Sequence, residues 1–109
     1  MLTLTFTARA VHNAALPHVK VKRVETAFFP TEYGSTQALA VTTEQLAEGV
    51  FVIYTAEVNG EKRTFIRRAA IIAGQEREGY VEVVSGLSTG DRIVVSADRE
   101  LCEGEVVLL

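Results

Sequence analysis

The sequence predicts an all-β fold, a small β-barrel or sandwich-like domain with at most one short helical turn. Two observations carry that reading. Short runs of β-branched and polar residues alternate along most of the chain, the period of half-buried strands. Between them stand turn residues whose backbone needs are specific: Asn59-Gly60, Gly86 and Gly90. The chain has 109 residues, room for one domain or one domain with a fragment of another. Its 48% apolar and 23% charged content is that of a folded globular protein.

Taken in order, residues 2–11 (LTLTFTARAV) begin by alternating Leu and Phe with Thr and read as a strand. His12 to Pro17 reads as a break, since proline fixes φ and removes a donor. Residues 19–27 alternate again through Val19, Val21 and Val24, and Phe28-Phe29-Pro30 is expected to end that strand. Thr31 to Thr36 reads as a turn-rich linker, and residues 38–41 as a short apolar strand. Thr43–Glu48 can make one helical turn, capped by Thr42 or Thr43 and stopped by Gly49. Residues 50–58 and 61–72 make the clearest hairpin, because Asn-Gly supplies the two positive-φ positions of a type I′ turn. Gly74–Gly79 reads as a polar connector. Tyr80–Val84 and Asp91–Val95 are strands, and Leu87, the one apolar residue between them, is expected to fold back onto the core. A second turn and a final apolar tail follow, for seven or eight strands in all.

Composition excludes several functions. A net charge of −3 gives no footprint for nucleic acid. Lys20, Lys22 and Arg23, Lys62-Arg63 and Arg67-Arg68 read as solvated strand faces. Tyr33, Tyr54 and Tyr80 lack the basic surroundings that single-strand binding uses. Cys102 is the one cysteine, so no internal disulfide forms, and it reads as a small semi-buried filler beside Glu103. Nucleophilic catalysis needs a nucleophile, a base and an orienting group together, and the sequence places no such set. Glu76 and Glu78 sit in the polar connector and do not read as a catalytic acid pair. His12 and His18 lie six residues apart across Pro17 with no third ligand, so they read as surface loop residues and no metal is assigned. Gly86 and Gly90 open no helix, so no phosphate cradle and no cofactor is expected.

One resemblance emerges from the motifs. The run Gly79–Val107 places Glu82, Gly86, Leu87, Gly90, Asp91, Val94, Val95, Leu101, Gly104 and Val107 on a pattern that resembles the C-terminal signature of periplasmic adaptor proteins. These are the membrane fusion proteins of bacterial tripartite efflux pumps, mainly of the RND type. Ala97 stands where the family often has glycine, and Cys102 where a polar residue is usual. Ala38–Leu46 resembles the family's "A-L-x-V-P-x-x-A-L", with Thr42 in place of proline. Val50–Tyr54, Asn59-Gly60 and Thr64–Arg68 resemble its "Y-V-F-V … NGK … x-R-x-V" hairpin. The likeness covers residues 38–109; each motif is loose, and their order and spacing together are specific.

The resemblance implies a membrane-proximal β domain over residues 36–109. It leaves residues 1–35 as adjoining strands, either the entry strand or part of the β-barrel module. It implies a non-catalytic subunit in the periplasm, tethered to the inner membrane. That subunit docks on an inner-membrane transporter and couples it to an outer-membrane channel through modules missing here. Adaptor self-association in the full pump is implied too. An adaptor precursor carries a signal or lipid anchor, so the chain is expected to be a piece of a longer protein. Candidate docking residues are Glu57, Asn59, Glu61 and Lys62 at the hairpin tip. Gln75, Glu76, Arg77 and Glu78 follow in the Gly74–Gly79 segment, and Ser88 and Asp91 in the connector. Two rivals are a metal-binding adaptor or chaperone-like β module of a heavy-metal efflux system, using His12 and His18, and a β-rich hydrolase accessory domain.

Overall fold

A computed structural model describes residues 16–109. The strand expected at 2–11 and the loop residue His12 lie outside the described residues. Eight strands and one helix follow one another: β1 (Val19–Arg23), β2 (Glu25–Thr31), β3 (Gly34–Thr42), α1 (Thr43–Glu48), β4 (Phe51–Val58), β5 (Glu61–Arg68), β6 (Ile72–Arg77), β7 (Tyr80–Ser85) and β8 (Arg92–Ala97). They form two antiparallel sheets, ordered β1-β8-β4-β5 and β2-β3-β7-β6. The fold is all-β, as the alternation predicts.

The first sheet closes on itself through the C-terminal tail. Along the outer edge of β5, the Ile66 N–H donates to the Glu105 carbonyl and the Val107 N–H to the Thr64 carbonyl. One residue on, the Val19 N–H donates to the Leu108 carbonyl and the Leu108 N–H to the Pro17 carbonyl. The tail thus pairs with β5 on one side and with the start of β1 on the other, leaving a five-membered ring. Val19, Phe51, Ile53, Ile66 and Val107 fill it, with Val21, Val94 and Leu101 packed against them.

β4 serves two cores. Phe51 and Ile53 face into the ring, while Val50 and Val52 join Val41, Ala69, Val81, Val83 and Ile93 between the two sheets. Burial on both faces explains why Val50-Phe51-Val52-Ile53 is continuously apolar where a half-covered strand would alternate. β8 divides likewise, with Ile93 in the inter-sheet core and Val94 against the ring's interior. Leu87 packs against the inter-sheet core, as expected.

The second sheet curls until its edges approach. Gln75 Nε2 on β6 donates to the Pro30 carbonyl on β2 at 2.9 Å, joining the two edge strands side chain to backbone. Phe29, fully buried, lies between the exposed Phe28 and Pro30. The single strand expected at 19–27 is two, β1 and β2, which part at Val24 and join different sheets. β2 does not stop at Phe28-Phe29-Pro30 but runs to Thr31, because it is an edge strand, where proline's missing N–H removes no ladder bond. The linker expected at 31–36 is a two-residue turn at Glu32-Tyr33, with Gly34 already opening β3.

Position 36 falls inside β3, whose residues Gly34–Ala40 pair with β2. α1 matches its expected start and stop. Thr42 caps it, accepting the Gln45 N–H at 3.1 Å, and Gln45 Oε1 accepts the Thr42 N–H at 2.9 Å. Gly49, at φ 94°, ends it. β5 ends at Arg68 and not at residue 72; the Ala69 N–H still reaches Val50, then the chain crosses to the second sheet.

Candidate functional site

The hairpin tip is built as its sequence requires. Asn59 (φ 53°) and Gly60 (φ 82°) both hold positive φ, and β4 pairs with β5 from Phe51↔Arg68 to Val58↔Glu61. Glu57 stands opposite Lys62, and Glu61 Oε1 lies 3.3 Å from Arg63 Nη2. Lower on the stem, Tyr54 and Phe65 stack with centroids 5.5 Å apart. The tip presents Glu57, Asn59, Glu61 and Lys62 to solvent.

The Gly74–Gly79 segment is not a loop. Residues 72–77 form strand β6, and only Glu78 (φ 53°) and Gly79 (φ 84°) make the turn into β7. Every residue of β6 is exposed. A strand with no buried face shows no apolar alternation, so periodicity could not reveal it. The signal that could have done so is Glu78-Gly79, a two-residue positive-φ turn immediately before a clear strand. Bulges flank Ala73, and Glu82 Oε1 accepts the Gln75 N–H at 3.1 Å. Gln75 therefore holds structure through backbone and side chain alike, while Glu76, Arg77 and Glu78 are exposed.

The connector between β7 and β8 is self-bonded. Asp91 Oδ2 accepts the Ser88 N–H at 2.8 Å, and the Asp91 N–H donates to the Ser88 carbonyl at 3.0 Å. The Asp91 carbonyl also accepts the Val24 N–H at 2.9 Å. Ser88 and Asp91 are thus brought together to shape this turn. Gly86 (φ 108°) and Gly90 (φ 90°) both take the positive φ expected of them. The ten candidates do not form one patch. The tip belongs to the first sheet, and the Glu78-Gly79 turn and the connector lie at opposite ends of β7, about 20 Å apart at ~3.3 Å per residue.

At one mouth of the ring, a cavity of about 460 Å³ is bordered by Glu48, Gly49, Phe51, Arg68, Arg99 and Leu101. The Arg68 guanidinium lies 4.8 Å from the centre of the Phe51 ring. It also fills the space that a Cβ at Gly49 would need. α1 has no basic residue in its last turn, so Arg68 brings a cation to that helix end from another element.

His18 joins the start of β1 to the end of β8. Its N–H donates to Asp98 Oδ1 at 3.1 Å, and its Nδ1 lies 3.5 Å from Asp98 Oδ2. Desolvation pushes the Asp98 carboxyl up, but the His18 N–H, the Arg99 charge and the His18 ring outweigh it and hold the group below its usual range. Among the described residues no three His, Cys, Asp or Glu side chains gather as a metal site. Cys102 is exposed and not the semi-buried filler expected. Its N–H donates to Glu105 Oε1 at 2.9 Å in the turn before the tail, which holds the residue at the surface.

Comparisons with protein-family models, curated protein sequences and solved structures find no match to this chain. Sequence reasoning passed over one pair of side chains, Arg23 and Arg92. They become neighbours only once the register of β1 on β8 is known.

Proposed function

We propose that the chain is the membrane-proximal β module, with adjoining strands, of a bacterial periplasmic adaptor. It grips an inner-membrane efflux transporter and catalyses no reaction. In the full pump it works in the periplasm, tethered to the inner membrane, beside further adaptor copies. Modules outside this chain carry the coupling to the outer-membrane channel.

The observation that carries the reading is the ordered succession of motifs over residues 38–109, ending in the Gly79–Val107 phrase. Its positions have distinct local duties, which supports reading them as one signature. Gly86 and Gly90 supply positive φ, Leu87 packs on the inter-sheet core, Asp91 ties the connector to Ser88, and Val107 fills the ring. The antiparallel pairing of β1 with β8 supports placing VKVKR as an entry strand laid against the C-terminal half. A rigid module with charged, exposed hairpin ends suits docking, since its contacts are ordered before the partner arrives.

The test is charge reversal in the parent protein at Glu76, at Arg77, and at Glu57 and Lys62 together so that their cross-strand pair keeps opposite charges. Exposed substitutions of this kind shift stability by less than about 0.5 kcal/mol. Thermal melting should be unchanged while cells carrying the variants become more susceptible to exported compounds. Restoration by a compensating charge on the transporter would locate the contact. Full efflux from every reversal, at normal protein level, would remove these residues from the docking surface.

A further inference from the structure

β1 and β8 set two arginines face to face. Arg23 pairs with Arg92, the one directly opposed pair of like charges in the strand registers. The Val24 N–H donates to the Asp91 carbonyl at 2.9 Å. Hydrogen-bonded and non-hydrogen-bonded pairs alternate along an antiparallel ladder, so Arg23 and Arg92 hold a non-hydrogen-bonded position. There the Cα atoms approach to about 4.5 Å and side chains stand closest. Like charges so placed destabilise a sheet.

Among the described residues no ion pair offsets that repulsion. Both arginines are exposed, and neither has a carboxylate within ion-pair distance among the described residues. Residues 1–15 contain no Asp or Glu that could supply one. The acids closest in sequence are engaged elsewhere: Glu25 lies 3.2 Å from Lys22 Nζ, and Asp91 accepts the Ser88 N–H. The next pair on the same face, Val21 and Val94, packs against the ring's core, so the two guanidinium groups extend a row anchored in the barrel. Functional sites are where a local rule is expected to be broken without a compensating contact.

We propose that Arg23 and Arg92 form a receptor for an acidic segment of a partner protein, whose Asp or Glu carboxylate binds between the two guanidinium groups. Guanidinium matches carboxylate in bidentate, charge-assisted geometry, and a bound anion converts the repulsion into attraction. A polypeptide with one or two carboxylates fits better than a nucleic acid. An extended polyanion would meet the neighbouring acids Glu25 and Asp91 on a chain whose net charge is already −3. The inference does not depend on the adaptor reading.

The experiment uses the whole chain, a fluorescent peptide carrying two adjacent glutamates, inorganic phosphate and a short DNA duplex, followed by anisotropy at low and high ionic strength. Arg23→Gln and Arg92→Gln should each weaken peptide binding at least about tenfold, the loss expected for one charged hydrogen-bonding partner. Lys20→Gln, on the same strand, should leave it unchanged. The melting midpoint of Arg92→Gln at low ionic strength should equal or exceed that of the unaltered protein, because a repulsion has been removed. Absence of peptide binding, or equal binding by all variants, would overturn the proposal. So would displacement of the peptide by phosphate or duplex at matched charge, or a lowered midpoint in Arg92→Gln, which would make the pair part of the sheet's own stability.

Discussion

Gly86 and Gly90 bound the same connector and share a positive φ, yet alanine should affect them differently. At Gly90 a Cβ would meet nothing within 4 Å, so Gly90→Ala costs backbone strain alone, about 1 kcal/mol. At Gly86 the Cβ would run into the Ala70 carbonyl oxygen, with the Ala70 carbonyl carbon and Ile71 Cα both at 2.9 Å. These are backbone atoms of the segment crossing from β5 to β6, and they cannot rotate away as a side chain can. Overpacking of this kind adds about 1–3 kcal/mol, which makes Gly86→Ala roughly 2–4 kcal/mol in total. The gain from a stiffer unfolded chain is the same at both sites, so their difference isolates the contact. For a domain of this size 1 kcal/mol moves the midpoint by about 4 °C. Urea and thermal unfolding of the two variants side by side measure the gap. Equal destabilisation would refute the close approach of Gly86 to Ala70.

Further outcomes follow from other contacts. Phe29→Ala should cost about 3–5 kcal/mol by urea unfolding, since the ring is fully buried where the second sheet curls. Thr42→Ala should cost about 1 kcal/mol by losing the reciprocal cap with Gln45. The Asp98 carboxyl is held below its unfolded value, so its contribution is present above about pH 4 and is lost as pH falls through the folded value. Asp98→Asn should therefore flatten the acid limb of a stability-against-pH curve. Val107→Pro removes the N–H given to Thr64 and should unfold the tail, seen as faster amide exchange at Ile66.

What the sequence revealed followed where burial lies. β4, β5, β7 and β8 each bury one or both faces, and their β-branched runs and the Asn59-Gly60 turn were legible, though β5 was read on to residue 72 where the chain has already left for the second sheet. The cap at Thr42 and the stop at Gly49 were legible because side-chain and glycine chemistry at helix ends is local. β6 was hidden because all its residues face water. The extension of β2 was hidden because a proline is harmless on an edge, and edge position is a property of the assembled sheet. Arg23 was read as an ordinary solvated charge and its opposition to Arg92 was hidden for the same reason: opposition between strands far apart in sequence is set by register. Of the candidate docking residues, Gln75, Ser88 and Asp91 turn out to have structural partners that composition could not have named.

The closing of the ring has a consequence for the order of events during folding. The β4–β5 hairpin spans a two-residue loop and can form within microseconds. The last seam joins His18 to Leu108, at the two ends of the described chain, and loop-closure entropy places such distant contacts late. Until residues 104–108 arrive, the outer edge of β5 offers the N–H of Ile66 and the carbonyl of Thr64 to any extended chain nearby. On a ribosome that interval lasts until the final strand has emerged. Weakening of the tail should thus show first as lower soluble yield from association of half-closed rings, before any loss of melting temperature in the molecules that do close.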